Sequence, residues 1–356
     1  MSKLFQPIRV RELDVKNRIW IPPMCQYACE GQDGIVTAWH LAHYGQRAVG
    51  GAGMIIAEAT AVTPEGRISP WDTGLWSDDQ VEPWRRVADF VKAQGARFAV
   101  QLAHAGRKGS TYPEWRGTGT VAAADGGWQT VAPSELAFDG YAPPRQLTTE
   151  EVALVPGDFA AAAERAVRAG FDAVEIHAAH GYLLHEFLSP AANQRADQYG
   201  GSLENRARLL LDVVRAIRGV VPDSMPVFVR FSASDWTDSG WDQSQTAQVA
   251  DWCVEIGVDL IDVSSGGLLA GVAIQTGPGY QVPFAEHIAA AIGAPVSAVG
   301  LITEARQAEA ILDAGQVSVV MIGRASLRDP FWPLRAASEL GVEVDWPVRY
   351  ARAKFA

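Results

Sequence analysis

The stretch Asp172-Ala-Val-Glu-Ile-His177-Ala-Ala-His180-Gly-Tyr182 opens as a buried strand and then delivers two imidazoles and a phenol into the following loop. His177 and His180, spaced i and i+3 past a strand end, can address one ligand atom. Neutral imidazole N–H groups aimed there polarise a carbonyl or a phenolate-like oxygen. Tyr182 adds a proton donor with an ordinary pKa of about 10. These groups suit the addition of hydride and a proton across a polarised double bond, but they contain no redox centre, so a cofactor site must lie elsewhere in the chain. On the residues alone, a satisfied core pair of histidines is an equal reading. A metal pair would need a third ligand at matching spacing, and none is found, so no metal is expected.

Short apolar runs like this one recur along nearly the whole chain. Strands are expected at Arg18–Pro22, Gly53–Thr60, Arg97–Leu102, Asp172–His177, Pro226–Phe231, Leu260–Val263, Pro295–Val299 and Val317–Ile322. Helical patterns follow them at Thr37–Val49, Asp79–Ala93, Pro156–Ala169, Leu203–Val220, Gln243–Ile256, Phe284–Ile292, Glu304–Asp313 and near Phe331–Leu340. Eight strands, each followed by a helix and each continuously apolar, predict an α/β fold of the (β/α)8 TIM-barrel type, in one domain over residues 1–356. A doubly wound sheet is the alternative. It usually carries a Gly-x-Gly-x-x-Gly turn after its first strand, where this chain has Pro22-Pro23-Met24-Cys25.

Two segments depart from the alternation. A hairpin over Ile8–Glu12 and Val15–Lys16 is suited to plugging the barrel floor. Residues 105–149 form a long insertion after the third strand, with Tyr112, Trp115, Trp128, Phe138 and Tyr141 among its aromatics. A loop of that length at the C-terminal face of a barrel reads as a lid.

The 356 residues are 48% hydrophobic and 20% charged, with net charge -11, which argues against nucleic-acid or anionic-membrane binding. No apolar run approaches the ~20 residues of a membrane span. Three scattered cysteines and an N-terminus without an apolar signal region point to the cytoplasm.

Polar groups converge where the strands end: Tyr27 after the first, Ala57-Glu58-Ala59-Thr60 in the second, Gln101 in the third, Arg230 in the fifth, and Ser264-Ser265-Gly266-Gly267 after the sixth. Gly300 and Gly323-Arg324 stand before the last helices, where barrels commonly bind phosphate. Arg230, at the end of a buried strand, needs an anionic or acceptor partner. Gln101 both donates and accepts, which suits an imide edge. A phosphate grip, an amide and a buried arginine together fit a flavin mononucleotide, with Arg230 stabilising the charge of reduced flavin.

Several stretches then carry a resemblance. They are Asn17-Arg18 with Pro22-Pro23-Met24-Cys25, the run Gln101-Leu-Ala-His-Ala-Gly-Arg107-Lys108, Glu175-Ile-His177-Ala-Ala-His180-Gly-Tyr182-Leu-Leu, and Ser189-Pro190 through Asn205-Arg206. Over essentially its full length the chain resembles the old yellow enzyme family of flavin ene-reductases. Cys25 and Tyr27 are similar to the branch often called thermophilic-like. The resemblance implies FMN as cofactor and NADPH or NADH as electron donor. It implies ping-pong reduction of electron-poor alkenes, in which His177 and His180 hold the carbonyl and Tyr182 is the proton donor. It assigns FMN contacts to Pro23, Met24, Cys25, Ala57, Gln101, Arg230, Ser265, Gly266, Gly300, Gly323 and Arg324. Cys25, Tyr27, His177, His180, Tyr182 and Lys108 are assigned to substrate, with Arg352 from a neighbouring subunit of a homodimer or homotetramer. Longer relatives of this barrel add an iron–sulfur motif and a second nucleotide-binding domain, for which no cysteine cluster occurs here.

Other readings of the same barrel are a reductase of nitro or nitrate-ester compounds and an oxidative N-demethylase. A metal-dependent hydrolase and a non-catalytic flavin binder come from other classes. His40 and His43 read as structural, as do Cys29 and Cys253; His104 could be either. An exposed lysine such as Lys108 is ordinarily only solvated. Ser202 is placed to cap a helix, with Glu204 at its positive end.

Overall fold

In the computed structural model, which describes residues 2–355, eight parallel strands close into a barrel. They are Ile19–Ile21, Met54–Ala61, Arg97–Ala103, Ala173–Ala178, Val227–Ser232, Leu260–Ser264, Val296–Ala298 and Val319–Met321. Each pairs with its neighbour in chain order, and the eighth pairs with the first through Val320↔Ile19 and Met321↔Trp20. The expected (β/α)8 barrel is therefore the fold formed.

Side chains alternate along a strand, and that period sorts the interior into layers. Trp20, Met54, Ile56, Ala99, Ala173, Phe228, Leu260, Val319 and Met321 fill the lower barrel. Ile8, Val10 and Val15 of the hairpin Ile8–Val10/Leu13–Val15 pack into the same cluster and close the floor. Two residues further along the strands the interior turns polar, with Gln101, Glu175, Arg230, Asp262 and Ser297, all buried. The outer faces meet the surrounding helices, where Trp84, Phe98, Phe159 and Phe187 are fully buried. Each such side chain contributes roughly 1.5–3 kcal/mol of burial.

The third helix begins at Thr149, seven residues before the expected Pro156. Thr148 and Glu151 form a reciprocal capping box, and Val152 and Val155 are buried against the core. Pro156 removes one donor, and this burial offsets the loss. Two short helices, Leu183–Leu188 and Arg324–Arg328, were not foreseen because neither is long enough to show a helical period. Ser202 caps Leu203–Arg218 as expected, accepting from Asn205 N–H.

The insertion after the third strand carries short turns, an isolated antiparallel bridge between Thr111 and Thr120, and a two-residue parallel pair, Val131–Ala132 with Arg145–Gln146. Polar ties hold it down. Arg107 donates to the carbonyls of Leu136 and Leu268, Arg116 pairs with Glu30 at 2.6 Å, and Trp128 Nε1 donates to the Glu65 carbonyl.

Candidate active site

His177 stands next to last in the fourth strand, and its ring is perpendicular to both His180 and Tyr182, with centroids 5.1 and 5.0 Å apart. The Ala179 N–H donates to His177 Nδ1 at 3.2 Å, which places the ring's proton on Nε2 and makes that nitrogen a donor. His180 Nε2 lies 2.8 Å from Ser264 Oγ at the end of the sixth strand. Burial drives both imidazoles well below their ordinary pKa, assisted by the positive charge of Arg230. Both rings are therefore neutral hydrogen-bonding groups at physiological pH. Burial pushes the Tyr182 phenol well up, with nearby Cys25 adding to the effect, so it keeps its proton. Cys25, Tyr27 and Tyr182 pack together against Ala59, Ile68, Ala103 and Ala105.

Beside this cluster lies a cavity of about 270 Å³ lined by Pro23, Met24, Arg230, Ser264, Gly300, Gly323 and Arg324, among others. No carboxylate lines it, while three guanidiniums do, from Arg230, Arg324 and Arg328. That donor set fits an anion such as a phosphate monoester. Gly300 has φ 118°, and a Cβ there would stand 2.8 Å from Gln281 Nε2, so only glycine keeps this wall open. Gln281 is fixed by Ser265 Oγ, which donates to its Oε1 at 2.7 Å. Gly266 N–H donates to the Ser234 carbonyl, tying the sixth-strand loop to the fifth.

Several partners were not legible in the sequence. Arg230 meets its anion inside the protein, Asp262 on the adjacent strand, at 3.0 Å. Asp262 also accepts from Ser297 Oγ at 2.6 Å. Gln101 Nε2 donates to Glu175 Oε1. Burial, with the neighbouring Asp262, raises Glu175 to about 8. Ala57 lies fully buried beside a bulge in the second strand, and its neighbour Glu58 carries the load there. Glu58 accepts from Gln26 N–H and from Tyr44 OH, both at 2.7 Å, which pins the loop bearing Cys25 and Tyr27. Burial raises Glu58 to about 7. His40 caps its own helix and lies 3.5 Å from Glu58, a structural role. His104 Nδ1 accepts Gly106 N–H, also a structural tie.

Lys108 is not the solvated lysine its residue type suggested. Its Nζ donates to the carbonyls of His180 and Gly267, each at 2.8 Å, and sits over the rings of Phe138 and Tyr182. Burial lowers its pKa to about 8. Arg352 lies exposed on the tail turn Val348–Ala353 and does not line the cavity of its own chain. Among the described residues no group of His, Cys, Asp and Glu is arranged to hold a metal. No helix there is long and apolar enough to cross a membrane.

Comparison with known proteins places this geometry. Residues 3–343 match the NADH:flavin oxidoreductase / NADH oxidase family. The chain is 46% identical over 350 residues to an NADPH dehydrogenase of Geobacillus thermodenitrificans, covering 98% of each. It is 46% identical over 351 residues to an NADPH dehydrogenase of Bacillus subtilis, again covering 98% of each. Among solved structures, an old yellow enzyme homologue from Zymomonas mobilis superposes with TM-score 0.79 at 30% identity, covering 98% of this chain and 95% of that one. Morphinone reductase in complex with tetrahydroNAD gives TM-score 0.79 at 29% identity, covering 98% and 93%.

Proposed function

Because the chain belongs to the NADH:flavin oxidoreductase / NADH oxidase family, we propose that it is an FMN-dependent reductase that takes electrons from NADPH or NADH and passes them to electron-poor alkenes such as α,β-unsaturated carbonyl compounds. The observation that carries this reading is the perpendicular arrangement of neutral His177, neutral His180 and protonated Tyr182 at one end of the barrel.

FMN, when bound, supplies hydride carriage between the nicotinamide and the alkene. Arg324 and the backbone around Gly300 and Gly323 would hold its phosphate, with Pro23, Met24, Ser265 and Gly266 around them. Arg230, paired with Asp262, would offer positive charge to stabilise the reduced cofactor. Gln101 and Cys25 would complete the bed, and Ala57, which has no exposed surface, would back it. His177 Nε2–H and His180 grip the substrate carbonyl oxygen and stabilise the charge that develops there, as an oxyanion site does. Tyr182 gives its proton to the α-carbon. Tyr27 and Lys108 border the substrate, and the 105–149 insertion covers it as a lid. Arg352 completes the mouth of a neighbouring subunit in a homodimer or homotetramer.

The test is anaerobic. The visible spectrum of the purified protein is recorded, NADPH is added, and then 2-cyclohexenone. A yellow protein that bleaches and regains its colour supports the reading. Bleaching without recovery removes the alkene and directs attention to amines and nitro compounds. A colourless protein that FMN cannot reconstitute overturns the reading as a whole.

A further inference from the structure

The turn that presents His180 and Tyr182 places two adjacent residues in left-handed backbone, with φ 59° at His180 and 74° at Gly181. A non-glycine residue adopts that region only when its surroundings hold it there. Part of the hold is contact: a Cβ on Gly181 would strike the Gly267 carbonyl and stand 2.8 Å from Leu268 Cα. The other part comes from His185, which is fully buried. Its Nδ1 accepts the Gly181 N–H over 3.0 Å. Its Nε2 lies 3.1 Å from Asp235 Oδ1, just beyond the fifth strand. A nitrogen that accepts carries no proton, so in the neutral ring the imidazole proton sits on Nε2, the nitrogen that faces the Asp235 carboxylate.

Asp235 is anchored in turn. Its Oδ2 accepts from Ser189 Oγ at 2.6 Å and from Trp241 N–H at 2.8 Å. Burial alone would push this carboxyl up; His185, Ser189 and Trp241 together outweigh burial and hold it below its ordinary value.

We propose that His185 and Asp235 are a positioning pair, in which the carboxylate fixes the imidazole's tautomer and that tautomer fixes the Gly181 amide, so that His180 and Tyr182 stand where proton delivery requires them. The importance of that placement rests on the role proposed for Tyr182; the clamp on Gly181 does not.

Asp235→Asn tests the pair without changing volume. The Trp241 N–H can only donate, so the new amide must turn its oxygen there and its NH2 toward His185. His185 Nε2 must then accept, which moves the ring proton to Nδ1, donor against the Gly181 donor. In the holoenzyme, hydrogen exchange at the Gly181 amide should accelerate at least tenfold, with Ile176 in the adjoining strand unchanged. Alkene turnover should fall at least tenfold while flavin bleaching by NADPH changes less than twofold. Ser189→Ala removes a hydrogen bond from the same carboxylate but leaves the tautomer, and should stay near wild type in both readouts.

Unchanged exchange at Gly181, equal effects of the two substitutions, or faster exchange with undiminished alkene turnover each overturn the proposal. If Asp235→Asn does not fold, the wild-type protein decides. Selective 15N labelling of histidine must show His185 as the Nε2–H tautomer, and an Nδ1–H ring or an imidazolium sinks the pair. A wild-type enzyme that reduces no alkene would remove the role of Tyr182 while Gly181 exchange still reports on the clamp.

Discussion

Gln101 Nε2 donates to Glu175 Oε1 over 2.8 Å, and the other oxygen of that carboxyl, fully buried, has no partner. A carboxyl so placed favours its protonated form. Glu175 is accordingly raised to about 8 by burial, with Asp262 adding to it and Arg230 opposing. In the unfolded chain it ionises near 4.3. Between those values the folded state binds the extra proton, so stability falls as pH rises through that window. With FMN removed, Glu175→Gln should make the pH dependence of unfolding shallower between pH 5 and 8, by up to ~1.4 kcal/mol per pH unit. Denaturant titrations at both pH values measure it, and parallel curves for the two proteins would count against a protonated Glu175.

Tyr182→Phe removes the proposed proton donor and keeps the ring against Cys25 and Tyr27. Flavin bleaching by NADPH should be spared. Alkene turnover should drop by about 10²–10⁴. Stopped-flow traces of the two half-reactions separate these effects, and undiminished turnover would assign protonation to solvent.

Replacing both His177 and His180 with Ala removes the two neutral imidazoles proposed to hold the substrate oxygen. Binding of a simple phenol, read from the flavin absorbance, should weaken by roughly 10–100-fold, the worth of one to two hydrogen bonds to a developing anion. An unaltered titration would place the oxyanion site elsewhere.

Arg324→Ala takes one guanidinium from a cavity lined by three and by no carboxylate. The dissociation constant of FMN should rise about tenfold or more, the scale of one charge-assisted hydrogen bond. The loss should be smaller for riboflavin, which has no phosphate. Equal losses for both ligands would refute the phosphate grip.

The barrel was legible because its signal is repeated: eight apolar runs, each followed by a helical period. The imidazole pair and Tyr182 were legible because they are adjacent in sequence. What escaped depends on register across strands. Arg230 announced the need for an anion, but that Asp262 supplies it follows from the pairing of those two residues in neighbouring strands. Glu175 and Gln101 are likewise opposite each other only once the third and fourth strands are aligned. Polar residues at alternate positions of apolar strands were the available signal for this interior layer. Nothing local marked His185, whose partners come from the residues before it and from the loop after the fifth strand. The burial of Lys108 was not legible because residue type predicts exposure, while the loops that hold it meet only in space.

The hairpin at the barrel floor has a kinetic consequence. With Ile8, Val10 and Val15 packed beneath Trp20 and Phe228, nothing can enter or leave from below. On the proposed reaction both reactants must then come in from the opposite end of the barrel, where they are rivals for one site. Crowding by either one delays the other, and the rate should pass through a maximum as the concentration of each is raised.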